Sequence, residues 1–264
     1  MNNKTTFSRR TFLSGIAAAG AGTAFSAVKL PEIDLLKKID ESKNREIIEN
    51  DTDPILLKRF IPRPKNIKLN DDREVIFDNQ LTVKIELKNA DNHAKHKTSD
   101  LFKQYFNVTP AVSVTQKTDA PDGEAYKIKA AGSLITLSAS NFAGIRYACN
   151  TLRQLAEVHS STGESTNYSI PETEIDDAPA MAFRGLHLCW FPETETIQIE
   201  QYIRWASYYK FNHIIIEFWA TFPFASHPEF NWQEYSATPG DIRRLVKLGK
   251  ELGVTLIPQL NLFG

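Results

Sequence analysis

The sequence predicts an α+β domain followed by an α/β domain, and three observations support this fold class. Short alternating apolar runs, separated by clusters of Asn, Asp, Gly and Pro, fill residues 61–175. Two helical patterns lie between those runs. After Pro179 the order becomes strand, helix, strand, helix, strand, which requires a parallel sheet with right-handed crossovers.

The first 26 residues have the pattern of an export signal. Residues 1–10 are polar and basic, residues 12–28 are apolar, and Ala24 and Ser26 provide the small side chains of a cleavage site. Residues 8–13 resemble the twin-arginine signal, which implies a periplasmic or extracellular protein. An uncleaved membrane anchor is the alternative, although Gly and Ser interrupt an apolar run close to the short limit for spanning. No membrane contact is predicted once the signal is removed.

Residues 27–60 lack the pattern of a folded domain. They are rich in Glu, Lys, Asp and Asn, with a few apolar pairs and hardly any aromatic residues. Such a composition buries little apolar surface. We therefore predict a linker with one short helix.

Residues 61–175 contain five predicted strands and two predicted helices. Alternating apolar positions place the strands at 74–77, 81–87, 111–114, 126–130 and 134–137. One helix is predicted at 100–106 with Ser99 as its cap, and the other at 142–159 after Ser140. A small α+β domain accommodates this order.

Residues 176–264 contain three predicted strands and two predicted helices. The strands are at 182–188, 213–219 and 254–260, and an amphipathic helix is predicted at 197–209. The second helix has Thr238 as its cap and ends at Gly253. Because only 87 residues follow Asp177 and a (β/α)8 barrel takes about 250 residues, only about three β/α units of a barrel fit. A sequence that stops on an apolar strand leaves a sheet edge unpaired, so we expect it to be truncated.

Composition excludes several classes of function. A net charge of −1 and a pI near 6.6 exclude a global field that gathers nucleic acid, so no nucleic-acid partner is predicted. Two cysteines, Cys149 and Cys189, are too few for a disulfide framework or a zinc site built from thiolates. No cofactor is implied, and the oligomeric state stays open.

The sequence resembles glycoside hydrolase family 20, the β-N-acetylhexosaminidases, over residues 61–264. The shared segments occur in the family's order and spacing: Glu124-Ala125-Tyr126, Ala143-Gly144, 151–155, Ile170-Pro171, 175–179, 183–186, 209–212 and 253–264. The resemblance implies an accessory domain with a zincin-like fold at 61–175 and the start of a catalytic TIM barrel at 176–264. The sequence has no His-Glu-x-x-His motif, so the name of that fold implies no zinc protease.

The resemblance also implies a chemistry. Enzymes of this family remove terminal N-acetylhexosamine with retention, and the acetamido oxygen of the substrate is the nucleophile. An Asp-Glu pair after the fourth barrel strand orients that group and protonates the leaving oxygen. This pair is expected beyond residue 264, so no catalytic residue is assigned within the chain and the chain alone is expected to be inactive.

Four residues are predicted to bind substrate: Arg184, His187, Glu217 and Trp219. By the resemblance, Arg184 holds the hydroxyls at C3 and C4 of the sugar. The alternative is a structural arginine that pairs with a carboxylate at the base of the barrel. Glu217 is a charge within an apolar strand, and its alternative role is that of a buried partner for Arg184 or His187.

Neutral residues replace acidic ones at four positions of the family pattern. These positions are Cys189, Ala220, Gln259 and Asn261. A divergent subgroup with a different subsite and a loss of activity both explain them, and Glu217 favours the subgroup.

The aromatic residues favour a carbohydrate partner. All four tryptophans lie between Trp190 and Trp232, and Trp219 follows the carboxyl end of a predicted strand, where barrel active sites form. Packing within the loops is the alternative role of Trp219 and Trp232. Trp205 lies on a helix and is predicted to be a core residue. His187 and Cys189 have the chemistry of metal ligands, but no third ligand is near them in sequence, so no metal is predicted.

Other functional classes stay open. A non-catalytic glycan-binding protein would keep Arg184 and the aromatic residues, whereas a different glycosidase, such as an α-glucuronidase, would have a basic subsite for a carboxylate. A structural surface protein would bind no glycan. The glycan linkage and the choice between N-acetylglucosamine and N-acetylgalactosamine cannot be predicted.

Overall fold

The computed structural model describes residues 59–89, 91–162, 165–230 and 237–260. The predicted signal at 1–26, most of the predicted linker at 27–60, Trp232 and Asn261 lie outside the described residues. Among the helices of the described residues, none is long and apolar enough to cross a membrane. Two sheets with helices packed on them make up the described part, so the predicted mixture of α and β structure is confirmed.

The first sheet has seven strands and mixes parallel with antiparallel pairs. Its strands are β1 (Asn66–Phe77), β2 (Thr82–Leu87), β3 (Ala111–Gln116), β4 (Tyr126–Ala131), β5 (Leu134–Ala139), β6 (Glu157–Thr162) and β7 (Ser165–Asp177). The order is β1-β7-β4-β5-β2-β3, and β6 pairs with β7. Strand β2 is parallel to both β5 and β3, and the other pairs are antiparallel.

Two helices pack on this sheet and build its core. Helix α1 (Ala94–Phe106) and helix α2 (Phe142–Leu155) contact each other and the strands. Tyr126, Ile128 and Ala130 of β4 are buried in this core, and the two lysines between them are exposed. The alternation is that of a sheet with one face covered and one face in water.

The sequence patterns predict no strand at the positions of β6 and β7. The buried side chains of β7 include Ser169, Thr173 and Asp177, so apolar residues do not alternate along it. Pro171 lies opposite Glu74, next to a register shift between β1 and β7, where a missing N–H group is tolerated.

Both predicted helices of this domain have wrong boundaries. The helix predicted at 142–159 ends at Leu155, because the chain then turns into β6. The helix predicted at 100–106 begins at Ala94, so Ser99 lies inside α1 and does not cap it.

The second sheet has three parallel strands in the order β8-β9-β10. The strands are β8 (Gly185–Trp190), β9 (His213–Phe218) and β10 (Thr255–Leu260), and the crossovers carry α3 (Thr196–Tyr208) and α4 (Pro239–Leu252). The predicted strand, helix, strand, helix, strand order is confirmed for these elements.

Both ends of α4 follow from its sequence. The Thr238 side chain accepts a hydrogen bond from the backbone N–H of Asp241, and the Asp241 carboxylate accepts one from the backbone N–H of Thr238. At the other end Gly253 has φ of 70°, a left-handed conformation that glycine adopts without strain. The predicted limits of this helix are therefore confirmed.

The two faces of the second sheet differ in chemistry. Alternate residues of the strands pack with α3 and α4 in a second core, among them Leu186, Leu188, Trp190, Ile214, Ile216 and Phe218. The residues between them, which include His187, Cys189 and Glu217, lie on the opposite face. The predicted substrate-binding residues His187 and Glu217 therefore share one face of the sheet.

Gly144 is expected to tolerate no side chain. A Cβ atom at this position of α2 would lie 2.7 Å from the carbonyl oxygen of Ala125 and 2.7 Å from Cβ of Ala139. We expect Gly144→Ala to lower the free energy of unfolding by about 1–3 kcal/mol, measured by denaturant titration, since overpacking shifts the backbone.

Gly240→Ala is the matched control within α4. Its nearest neighbour would be Thr238 Oγ1 at 3.4 Å, an ordinary contact. Because alanine favours a helix over glycine by up to about 1 kcal/mol, this variant should be neutral or more stable. Equal losses in the two variants would contradict the steric explanation.

Candidate functional site

Three polar side chains meet at the carboxyl ends of β8 and β9. His187 Nε2 lies 3.2 Å from Glu217 Oε2, and Cys189 Sγ donates a hydrogen bond of 3.5 Å to the same oxygen. Cys189 and Glu217 are register partners across the two strands, and Gln259 of β10 is the partner of Glu217 on its other side. Strand pairing therefore fixes this cluster, which we call the β8–β9 polar cluster.

Burial decreases across the β8–β9 polar cluster from Glu217 to His187. The Glu217 side chain is 11% exposed, whereas that of His187 is 46% exposed. Burial, together with the hydrogen bond to Glu217 and the charge of its carboxylate, raises the pKa of the Cys189 thiol. The thiol is thus a proton donor to the carboxylate, and Glu217 contacts His187, which is one of the two partners named in its alternative role.

Two exposed aromatic rings follow the ends of these strands. Trp219 is 47% exposed, Phe191 is 44% exposed, and their ring centroids lie 5.5 Å apart. The backbone N–H of Trp219 donates to the carbonyl oxygen of Trp190 over 3.1 Å, which joins the end of β9 to the end of β8. Ala220 then turns the chain with φ of 55°. The rings form an open platform of the kind that stacks on the apolar face of a sugar.

The other two described tryptophans differ in their surroundings. Trp190 is buried, stacks on Phe218 at a centroid distance of 5.3 Å and donates from Nε1 to the Thr194 carbonyl oxygen. Trp205 was predicted to be a core residue, which is wrong: it is 53% exposed on α3 and contacts Tyr202 edge to face. The core side of α3 is formed by Ile199, Ile203 and Ala206, so the tryptophan faces outward.

A comparison with protein-family models matches residues 58–178 to the family described as "Glycosyl hydrolase family 20, domain 2". Residues 58–178 are therefore similar to that domain, and we call them the family 20 domain 2. The matched segment contains the whole of the first sheet and its two helices. A search of curated proteins gave no match.

Solved structures of family 20 enzymes share the fold of this chain. The exo-β-N-acetylglucosaminidase of Vibrio harveyi, solved with N-acetylglucosamine, has 22% identity and a TM-score of 0.61 over 76% of this chain and 36% of its own length. The β-N-acetylhexosaminidase of Streptomyces coelicolor A3(2) has 16% identity and a TM-score of 0.62 over 78% of this chain and 47% of its own. The N-acetyl-β-hexosaminidase of Streptomyces plicatus, in complex with Thio-NAglucal, has 17% identity and a TM-score of 0.62. The match covers 80% of this chain and 47% of that enzyme's length. This chain thus spans between about a third and a half of each of these enzymes.

Arg184 lies at the amino end of β8, away from the β8–β9 polar cluster. Its Nη2 donates to the Glu124 carboxylate over 2.7 Å and to the Tyr147 hydroxyl over 3.0 Å, both within the family 20 domain 2. Nε donates to the Lys210 carbonyl oxygen, and Nη1 donates to that of Met181. All three guanidinium nitrogens are thus engaged by protein groups. These contacts favour the structural role that was the alternative for Arg184, and the contact with sugar hydroxyls stays a prediction.

A second contact between the family 20 domain 2 and the following segment has no signal in the sequence. Lys210 Nζ lies 3.2 Å from Asp177 Oδ2 and donates to the Tyr126 hydroxyl over 2.7 Å. The Tyr126 hydroxyl also donates to Asp177 over 2.8 Å, and all three residues are buried. Burial lowers the pKa of Lys210, and the charge of Asp177 opposes that effect. Tyr126 and Asp177 lie 84 and 33 residues from Lys210, so sequence spacing could not pair them.

Proposed function

We propose that the chain is the N-terminal part of an exported glycoside hydrolase that removes terminal β-linked N-acetylhexosamine from glycans. The fold of the family 20 enzymes supports a glycosidase in general. The observation that carries the proposal is the arrangement of a family 20 domain 2 followed directly by parallel β/α units with a polar and aromatic cluster at their carboxyl ends. Barrel enzymes build their active sites at that end.

In this proposal the three parallel strands are the first three of a (β/α)8 barrel. Residues 61–175 then form the zincin-like accessory domain, and residues 176–264 begin the catalytic domain. Among the described residues, the helices α3 and α4 pack on the face of the strands opposite His187 and Glu217, which agrees with a barrel whose inner face carries these two residues. Residues 1–26 serve as a twin-arginine signal that sends the protein to the periplasm or the cell exterior.

The β8–β9 polar cluster and the aromatic platform form one wall of the sugar subsite. The Glu217 carboxylate accepts a hydroxyl proton, and the exposed His187 ring offers a second polar contact. Trp219 stacks on the apolar face of the pyranose, beside Phe191. Because Cys189, Ala220 and Gln259 are neutral where the family pattern has acidic residues, we propose a divergent subgroup with an altered subsite.

The bond is cleaved with help from the substrate. The acetamido oxygen attacks the anomeric carbon while a glutamic acid protonates the leaving oxygen, and an aspartate orients the acetamido group. We propose that this Asp-Glu pair belongs to a part of the protein outside these 264 residues. The 264-residue chain then supplies substrate contacts and no proton donor.

A chromogenic assay tests the proposed function. We expect a protein that continues past Gly264 through the remaining β/α units to release p-nitrophenol from p-nitrophenyl N-acetyl-β-glucosaminide, and the 264-residue chain to release none. In the longer protein Trp219→Ala should raise KM about tenfold, since stacking on one aromatic face contributes about 1–1.5 kcal/mol. Trp205→Ala removes an equally exposed tryptophan from α3 and should leave KM unchanged.

Each outcome of that assay decides one part of the proposal. Turnover by the 264-residue chain would show that the acid is within it. A longer protein that binds N-acetylglucosamine without hydrolysing the substrate would favour the glycan-binding alternative. Equal KM values for Trp219→Ala and the parent protein would remove the aromatic platform from the subsite.

A further inference from the structure

The β8–β9 polar cluster brings three different metal-ligating groups together. His187, Cys189 and Glu217 each offer one ligand atom, and these three atoms all lie within 4.8 Å of one another. The third group was missing from the sequence-based argument because Glu217 lies 28 residues from Cys189. Pairing of β8 with β9 closes that gap.

We propose that His187 Nε2, Cys189 Sγ and a Glu217 carboxylate oxygen bind a divalent transition-metal ion of the Zn²⁺ class. Imidazole nitrogen, thiolate sulfur and carboxylate oxygen are the ligands that this borderline-soft ion takes in proteins. This inference goes beyond the proposed glycosidase function and does not rest on it, since the metal would bind whether or not the chain is part of an enzyme.

The distances suit a tetrahedral ion. Bonds of about 2.0–2.3 Å to nitrogen, oxygen and sulfur place neighbouring ligands of a tetrahedron about 3.3–3.7 Å apart. The observed separations are 3.2 Å between His187 Nε2 and Glu217 Oε2 and 3.5 Å between Cys189 Sγ and the same oxygen. The third pair, His187 Nε2 and Cys189 Sγ, lies within 4.8 Å, so side-chain rotations that shorten this distance would complete three corners of the tetrahedron.

The backbone holds the three groups in place. His187 and Cys189 are two residues apart on β8, so both point to the same face of the sheet. Glu217 is the register partner of Cys189 on the next strand. Sites on paired strands are more precise than sites on loops.

Charge and access also favour an ion. A neutral imidazole, a thiolate and a carboxylate together carry two negative charges, which a divalent ion neutralises. The thiol proton now shared with Glu217 leaves to the buffer when sulfur binds the metal, and no electron is transferred. The half-exposed His187 leaves a path for entry, and three protein ligands leave a fourth position for water or another ligand.

Cobalt titration of the purified 264-residue chain, freed of metal, tests the proposal. We expect one equivalent of Co²⁺ to bind and to produce a thiolate-to-metal charge-transfer band in the near ultraviolet, with visible bands of tetrahedral intensity. Zn²⁺ should displace the ion and abolish the bands. The band reports Cys189, because the only other cysteine, Cys149, is fully buried in the core of the first sheet.

Three variants assign the ligands. Cys189→Ser should abolish the charge-transfer band, and His187→Ala and Glu217→Gln should each weaken Co²⁺ binding by at least about tenfold. His227→Ala is the matched control, since His227 contacts a carboxylate, that of Glu229, over 3.1 Å and has no thiol beside it. It should leave the affinity unchanged.

The titration of the unaltered chain decides the matter even where a variant fails to fold. Absence of the charge-transfer band at saturating Co²⁺ would overturn the proposal. A band that persists in Cys189→Ser, or an affinity that falls equally in His227→Ala, would also overturn it. Glycosidase assays play no part in this test, so the metal site and the proposed function stand or fall separately.

Discussion

Asp177→Asn is expected to destabilise the protein by about 3–5 kcal/mol at neutral pH, because it leaves a buried cation without its counter-ion. Lys210 is 3% exposed, and within the described residues its ammonium group has hydrogen bonds to the Asp177 carboxylate and the Tyr126 hydroxyl. An asparagine keeps the shape and can still bond to Tyr126, but it supplies no charge. Denaturant titration measures the loss.

Asp176→Asn is the matched control. Asp176 is the next residue along the chain and pairs with Lys127 over 3.0 Å, but both side chains are more than half exposed. Exposed ion pairs contribute at most about 1 kcal/mol. A loss in Asp176→Asn as large as that in Asp177→Asn would contradict the argument from burial.

The pH dependence of Asp177→Asn identifies the cause. Burial already lowers the pKa of Lys210, and without Asp177 nothing of comparable strength opposes it. The unfolded chain then binds more protons than the folded protein, so the free energy of unfolding of the variant should rise as the pH increases from 7 toward 10. In Asp177→Asn/Lys210→Met the free energy of unfolding should no longer rise with pH in this way. Much of the lost stability should also return, since neither charge remains. A double variant no more stable than Asp177→Asn would refute the explanation.

The contrast between β7 and β9 shows which parts of the fold a sequence can predict. Strand β9 was found because Ile214, Ile215 and Ile216 form an apolar run. Strand β7 was missed because three of its buried side chains, those of Ser169, Thr173 and Asp177, are polar. Thr173 donates to the Lys68 carbonyl oxygen, and Asp177 accepts from the Tyr126 hydroxyl. These partners lie 105 and 51 residues away, so their burial becomes favourable only once the sheet has formed.

For the candidate site, as for the strands, the sequence predicted individual residues but not their long-range partners. The rule that barrel sites form at the carboxyl ends of strands led to Glu217, His187 and Trp219. The structure places Glu217 and Trp219 at that end of the sheet, and His187, in the middle of β8, contacts Glu217. The likeness of Cys189 to a metal ligand was visible, but its third partner was not, because register between strands is set by folding. The resemblance to the family pattern selected Arg184, but it did not predict which groups surround its side chain. Its side chain contacts Glu124 and Tyr147, which lie 60 and 37 residues earlier in the chain.

Arg184→Met is expected to lower the free energy of unfolding by about 2–4 kcal/mol, since hydrogen bonds to charged groups contribute about 1.5–3 kcal/mol each without being additive. The side chain is 13% exposed, so water compensates little for the lost donors. Glu124 would keep its contact with Tyr147 over 3.2 Å but would lose its cation. Thermal and denaturant unfolding of the 264-residue chain measure the change.

Arg244→Met provides the comparison. Arg244 also contacts two carboxylates, those of Glu200 at 2.7 Å and Asp241 at 3.1 Å, but its side chain is 56% exposed. Its replacement should change stability by no more than about 1 kcal/mol. If Arg184→Met cost no more than Arg244→Met, Arg184 would not be the structural link inferred from its contacts.

Kinetics of a longer, active protein would separate the structural role of Arg184 from sugar binding. Arg184 precedes the first residue of β8, and Cys189 lies five residues further along, which is about 16 Å at 3.3 Å per residue. The Arg184 guanidinium is held at the amino end of the strand by Glu124, Tyr147 and backbone carbonyl oxygens, so we expect it not to turn toward a sugar bound near Cys189 and Trp219. Arg184→Met should therefore leave KM unchanged at temperatures where the variant is folded, whereas Trp219→Ala should raise it. A raised KM in folded Arg184→Met would return Arg184 to the substrate site and would require the amino end of β8 to face the sugar.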